Sequence, residues 1–256
     1  MNPSEAEKKD GYRYSEEFFD FVAISAGRSA RHFVDRLDLG FEVGSVLDVG
    51  CARGIWLDAW ARRGVQDIFG LDGVHVNPAS LLIPAAKFQP TDISRPFQLD
   101  RKFDLVECLE VGEHIPISCA RTLVENLVRH GDVVLFSAAT PGQGGEFHVN
   151  EQPLEYWAAL FAEFGYRAFD YPRLAVRGEL KIEPWYRYNA VLYASAQGLA
   201  RLNANVSQHE VSAGTRFVNR ASFGWRARCL ALRALPPQLI ASLARWKHKV
   251  VVTLAK

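Results

Sequence analysis

The strongest constraint in this sequence is an alternation of short apolar runs with segments of helical spacing. Ser45-Val46-Leu47-Asp48-Val49 stops at Gly50 and gives way to a helical stretch over residues 55–63. Residues 67–72 and 87–89 read as a second and a third strand, and residues 103–109 as a fourth. A helix over 119–129 leads to a fifth strand at 132–137. A helix over 153–164 and two further strand candidates, 166–171 and 186–194, close the pattern. Apolar strands alternating with helices call for a mostly parallel sheet with helices packed on both faces. The expectation is an α/β fold built on a seven-stranded sheet.

Two flanks complete the chain. Residues 14–39 carry Phe18, Phe19, Val22, Ala23, Ala26, Ala30, Phe33, Val34 and Leu37 at three- and four-residue spacing, with Ser15 as a start signal and Gly40 as a stop. Residues 195–214 are polar and weakly patterned, and residues 221–256 form two helix-like segments broken at Pro236-Pro237. With 256 residues the chain has room for one large α/β domain of roughly 200–250 residues and not for two. The N-terminal residues are polar, and no run reaches the roughly 18 apolar residues that span a bilayer, so a cytoplasmic location is the expectation. The four cysteines lie far apart, without metal-ligand spacing, and are taken as reduced.

The chemistry concentrates at strand ends. Asp48, Gly50 and Gly54 are spaced Asp-x-Gly-x-x-x-Gly between a strand and a helix, where glycine admits a ligand close to the backbone. That turn alone fits NAD, FAD or no ligand. Asp72 ends the second strand 18 residues after Gly54, the place of an acid that accepts from ribose hydroxyls, and Asp92 follows the third strand. A pyrophosphate favours amides and cations over a row of carboxylates, and no Gly-Lys-Ser/Thr follows the turn. S-adenosylmethionine, which bears an ammonium and a sulfonium and no phosphate, suits acidic strand ends better. The plain alternative is that each acid caps a helix.

Residues 46–54 resemble motif I of the class I S-adenosylmethionine-dependent methyltransferases. Gly70-Leu71-Asp72-Gly73 resembles their ribose motif, Thr91-Asp92-Ile93 their adenine motif, and residues 103–116 their fourth-strand motif. The resemblance covers roughly residues 14–194 and implies the Rossmann-like methyltransferase fold. It divides the chain into an N-terminal helical cap (1–40), an S-adenosylmethionine-binding domain (41–195), and a basic linker with a helical C-terminal extension (196–256). It further implies that Asp48 and the Gly50, Cys51 and Gly54 backbone lie near the methionine part of the cofactor. Asp72 and Gly73 would then serve the ribose, Asp92 and Ile93 the adenine, and Leu109 and Glu110 would flank the reactive end. Ala52 departs from the family, which usually has glycine there, at some cost in backbone freedom and without loss of binding.

The loop Pro141-Gly142-Gln143-Gly144-Gly145-Glu146-Phe147-His148-Val149-Asn150-Glu151-Gln152, with Tyr156-Trp157, resembles a bacterial subgroup associated with glycan or secondary-metabolite modification. Its dense polar side chains suit a hydroxyl-rich small-molecule or glycan acceptor. Methyl transfer to an alcohol needs a base, and histidine is suited to that at neutral pH. His148 is favoured because it lies in this loop, with His114 as the other candidate and Glu113 and Glu151 as weaker ones. Trp185, Tyr186 and Tyr188 offer either an aromatic wall for the acceptor or part of the core.

The expectation is therefore O-methylation of a sugar, glycan, glycolipid or secondary-metabolite hydroxyl. N-methylation, a non-catalytic cofactor-binding scaffold and, least favoured, an NAD oxidoreductase stay open. No metal site is expected, because acids and histidines do not fall at ligand spacing on one element. Of the chain's 30 Lys and Arg, nine follow Glu210, and none of its 29 acids does. This basic end fits a helix on an anionic membrane at the inner face, and equally one packed on the domain or on a second subunit. No RNA-binding module accompanies it, so no nucleic-acid partner is expected. Oligomeric state is not legible.

Overall fold

A computed structural model describes residues 16–254. The first helix, α1 (Glu16–Arg36), precedes β1 (Ser45–Val49), α2 (Ile55–Arg62), β2 (Asp67–Asp72), β3 (Phe88–Pro90) and β4 (Leu105–Leu109). Then come α3 (Ala120–His130), β5 (Val133–Ser137), α4 (Leu154–Glu163), β6 (Arg167–Phe169), α5 (Tyr171–Ala175), α6 (Pro184–Asn189) and β7 (Val191–Ala194). The chain ends with α7 (Ala196–Leu199), α8 (Ala204–Ser207), β8 (Glu210–Val211), α9 (Phe223–Arg233) and α10 (Pro237–Leu254). Ser15, read as the start signal of the first helix, lies outside the described residues. None of the described helices is long and apolar enough to cross a membrane.

The sheet runs β3-β2-β1-β4-β5-β7-β6-β8, with β1 to β5 parallel and β7 antiparallel to β5 and β6. It has eight strands where seven were expected. The extra one, β8, pairs two residues with β6 and comes from the stretch read as linker, whose polar composition gave no strand signal. A second difference is local. The strand read from residue 186 begins only at Val191, because residues 184–189 form α6. Pro184 in the first turn presets a helical φ and loses no hydrogen bond there, which outweighs the aromatic, strand-like composition that follows.

Successive strand residues point to opposite faces, and the core divides accordingly. Val46, Leu105, Leu135 and Leu192 pack with Phe33, Leu57 and Trp60 of α1 and α2. Leu47, Val106, Val134 and Tyr193 pack with Leu123, Trp157 and Phe161 of α3 and α4. On this second face the Phe161 ring stacks on Tyr193 with centroids 3.8 Å apart, and Phe136 lies 4.8 Å from Trp157. Burial on both faces explains why the strands read as continuous apolar runs.

Phe161 is fully buried, so Phe161→Ala leaves a cavity and costs about 3–5 kcal/mol. Urea denaturation should show a lowered midpoint with an unchanged m value.

Candidate functional site

At the C-terminal end of β1 the chain turns in left-handed conformations, with φ 87° at Gly50, 47° at Ala52 and 77° at Gly54. The Gly50 and Cys51 amides both donate to the Leu71 carbonyl, at 2.7 and 3.1 Å. A Cβ on Gly50 would stand 2.4 Å from Val111, so glycine is required there for packing as well as for φ. The Ala52 amide donates to Asp72 Oδ2 at 2.7 Å, and the Gly73 amide to Oδ1 at 2.6 Å. Asp72 is thus fixed at the tip of β2 with acceptor capacity to spare. The Cys51 thiol is buried and its pKa pushed up by that burial, so the residue contributes backbone and not reactivity.

Asp48 stands beside Glu107 in the register of β1 with β4, and both are buried. Trp60 donates its indole N–H to Glu107 Oε2 at 2.9 Å, while Glu107 Oε1 and Asp48 Oδ2 have no partner. Burial, then the neighbouring Glu107 and Asp72, hold the Asp48 carboxyl well above its usual range. Burial pushes Glu107 up to about 8 against the pull of Trp60. An orphaned, buried carboxyl oxygen among acids beside the glycine turn fits a ligand that brings positive charge and no phosphate, as S-adenosylmethionine does. When bound, that cofactor supplies an electrophilic methyl on a sulfonium.

The remaining residues predicted for the cofactor fall differently. Leu109 is buried at the end of β4, and Glu110 follows it at φ 57°. Asp92 is exposed, and its carboxylate closes its own turn by accepting from Ser94 and pairing with Arg95 at 3.1 Å. Its side chain thus closes a local turn and caps no described helix, while Ile93 beside it is buried. The sequence reading gave a helical cap over residues 1–40 but named none of its residues for the site. Asp20 pairs with Arg53 of the glycine turn at 2.7 Å, and Phe19 stacks on His75, which lies 3.4 Å from Asp72.

The loop after β5 is organised by one carboxylate. Glu151 accepts from the Gly142 and Gly144 amides, both at 2.7 Å, and lies 2.8 Å from His148 Nδ1. Burial alone would raise its pKa, but His148 and the two amides more than offset that and lower it. Gly145 lies against the His148 ring, where a Cβ would come within 2.1 Å of Nε2. The backbone of Glu113 accepts from Val149 and Asn150. Gln143 then reaches Glu110 Oε2 at 2.7 Å, and Asn189 at the end of α6 donates to Gln143 Oε1 at 2.7 Å. Nothing in the sequence spacing pointed to Asn189.

His148 and His114 meet edge to face, with centroids 5.0 Å apart, and His148 Nε2 lies 4.0 Å from Glu113 Oε1. Burial, reinforced by His148, lowers the His114 pKa to about 3. Burial and the nearby Glu110 hold Glu113 well above the carboxylate range. Glu113, His114 and His148 each present a ligand atom within 4.8 Å of the others, a set able to hold a divalent cation. The absence of ligand spacing on one element had argued against any such set, but the fold brings His148 to the Glu113-His114 pair from a separate loop.

Of the three aromatics, Tyr186 is core, edge-on to Trp56 at 4.9 Å. Trp185 and Tyr188 instead gather around Trp225 of α9, at 6.5 and 6.1 Å. The C-terminal helices clamp the loop: Arg228 donates to the Gln143 carbonyl, Arg233 to the Pro141 carbonyl, and His248 faces Glu146 at 3.3 Å while stacking on Phe21 at 4.1 Å.

Two outcomes follow for stability. Ala52→Gly relieves a left-handed alanine and should stabilise the fold by about 1 kcal/mol, read as a raised Tm. Glu107 binds its proton more tightly folded than unfolded. Its contribution is therefore complete below the unfolded pKa of 4.5 and is lost as pH rises toward 8, at up to about 1.4 kcal/mol per unit. Glu107→Gln, which keeps an acceptor for Trp60, should flatten the decline in urea-derived stability between pH 5 and pH 8.

A family model described as a methyltransferase domain matches residues 23–171. The chain is 32% identical over 115 residues to a Ubiquinone biosynthesis O-methyltransferase of Neisseria meningitidis serogroup C (strain 053442), covering 41% of this chain and 48% of that one. It thus spans about half the length of the curated relatives it matches. Its fold is like that of DesVI from Streptomyces venezuelae, with TM-score 0.53, 15% identity, and coverage of 72% of this chain and all of that one. It is also like the sugar N-methyltransferase KedS8 from Streptoalloteichus sp ATCC 53650, with TM-score 0.51, 18% identity, and coverage of 73% and 94%. The chain belongs to the methyltransferase domain family, and the domain it carries is an S-adenosylmethionine-dependent methyltransferase of the Rossmann-like class.

Proposed function

We propose that the protein transfers a methyl group from S-adenosylmethionine to a hydroxyl of a sugar, glycan, glycolipid or secondary metabolite, with His148 as general base. The observation that carries this reading is the His148–Glu151 pair. With Nδ1–H donated to Glu151 at 2.8 Å, the neutral ring keeps its lone pair on Nε2, the tautomer a base needs. Glu151 stays ionised and stabilises the imidazolium that forms when the acceptor hydroxyl loses its proton. His114 is the weaker base, since a ring lowered to about 3 takes up a proton poorly. Glu110, held by Gln143 and Asn189, joins the acceptor loop to the end of β4, where the family resemblance puts the reactive end of the cofactor.

The O-methyltransferase name of the Neisseria relative supports transfer to oxygen. The loop's resemblance to a bacterial subgroup associated with glycan or secondary-metabolite modification supports a hydroxyl-rich acceptor. The likeness to a sugar N-methyltransferase speaks for the fold alone.

An acceptor screen with sugars and phenolic hydroxyls tests the proposal. His148→Ala should lower kcat about 10²- to 10⁴-fold and leave S-adenosylmethionine affinity unchanged by calorimetry. Full activity in His148→Ala and His114→Ala would instead favour an amine acceptor, which needs no base. The Glu113, His114 and His148 grouping favours one second reading, a divalent cation that bears the acceptor oxygen. Dialysis against EDTA separates the two: unchanged turnover keeps His148 as base, and loss restored by added zinc or magnesium assigns the cation.

A further inference from the structure

The helix α10 has two apolar faces, and only one of them is used. Ile240, Ala244, His248, Val251 and Val252 are wholly or partly buried, on the side where α10 packs against α1 and the acceptor loop. Leu239, Leu243, Trp246, Val250 and Leu254 recur at three- and four-residue spacing and are exposed, Trp246 to 66% and Leu254 to 82%. At helical periodicity these five form one narrow stripe running roughly 22 Å along the helix. Arg245 and Lys249 flank it on one side and form no ion pair with a described residue. The preceding helix α9 repeats the arrangement, with Phe223 at 85% and Leu230 at 69% exposure beside the exposed Arg226.

We infer that this outer face of α9 and α10 docks the protein on an anionic lipid surface, lying in the plane of the interface. An exposed apolar stripe with a tryptophan and a basic rim is the pattern that inserts side chains at the acyl boundary while cations meet acidic headgroups. Charge complementarity selects this occupant. Arg226, Arg245 and Lys249 border this face and no acid follows Glu210, so a second copy of the same face would bring like charges together with nothing on the segment to offset them. A membrane rich in acidic headgroups turns the same charges into attraction. Arg228 and Arg233 of α9 already hold the acceptor loop, which leaves the exposed apolar residues of α9 and α10 for the lipid. The inference goes beyond the proposed reaction and does not depend on which hydroxyl is methylated.

Flotation of the full chain with vesicles tests it, using phosphatidylcholine alone and phosphatidylcholine with about one-third phosphatidylglycerol. The expected result is co-flotation with the anionic vesicles, weakened by salt. Binding should fall about tenfold or more in Leu243→Asp/Trp246→Asp and in Arg245→Glu/Lys249→Glu. S-adenosylmethionine affinity and Tm measured on the same variants show that they remain folded, and they fail independently of the docking. The inference is overturned by any of three results: no anionic vesicle binding, equal binding to neutral vesicles, or undiminished binding by the folded variants. A wild-type dimer that becomes a monomer in Leu243→Asp/Trp246→Asp while vesicle binding is absent would assign the face to self-association instead.

Discussion

Parallel strands covered on both faces hand their last peptide groups to the turns that follow, which must satisfy whatever water does not. The C-terminal edge of this sheet answers that demand with its own backbone. Gly50 and Cys51 share the Leu71 carbonyl, Thr91 bonds to the Asp72 carbonyl, and Glu110 bonds to the Ser137 carbonyl. Two of these turns use left-handed residues other than glycine, Ala52 and Glu110, at about 1–2 kcal/mol each. Asp72 ends β2 and Glu110 follows β4 at this edge, while Asp48 lies within β1 beside Glu107 of β4. The acidic cluster around the unpartnered Asp48 oxygen follows from the register of β1 with β4.

Much of this was legible before any coordinates. Residues 45–49 and 133–137 announce themselves because strands buried on both faces carry almost nothing but apolar side chains, and Asp48 and Asp72 stand out against that background. The Ala52 departure was legible too, and its φ of 47° is the physical form of the lost backbone freedom. What escaped lies where distant segments meet. The Glu110, Gln143 and Asn189 network joins positions 33, 46 and 79 residues apart, and no local pattern encodes it. The Glu113, His114 and His148 set escaped for the same reason. Asp92 adds local partners, Ser94 and Arg95, that no strand-end pattern announces.

The charge asymmetry of the chain has a structural counterpart. Part of the basic end is spent on the acidic body: Arg220 pairs with Asp170 at 2.8 Å, His248 faces Glu146, and Arg228 and Arg233 take loop carbonyls. The cations left over lie on the outer side. The segment thus has one set of charges for the fold and another facing outward, and both appear in the sequence only as a long stretch without acids. The N-terminal helix contributes from the other end, with Asp20 on the glycine turn and Phe21 under His248, so the two ends of the described chain meet over the site.

The Glu151 clamp also sets rules for redesign. One carboxylate holds the amides of Gly142 and Gly144 together with the His148 ring, and Gly145 is small because that ring lies against it. A library randomised across the whole loop would mostly sample collapsed loops with the imidazole displaced. Altering the range of acceptors calls for a split strategy, in which these five positions are frozen and diversity is placed at Trp185 and Tyr188. Those side chains stand at the junction of α6 with the C-terminal helices, while Trp225 is kept because Arg228, which holds the Gln143 carbonyl, lies over its ring.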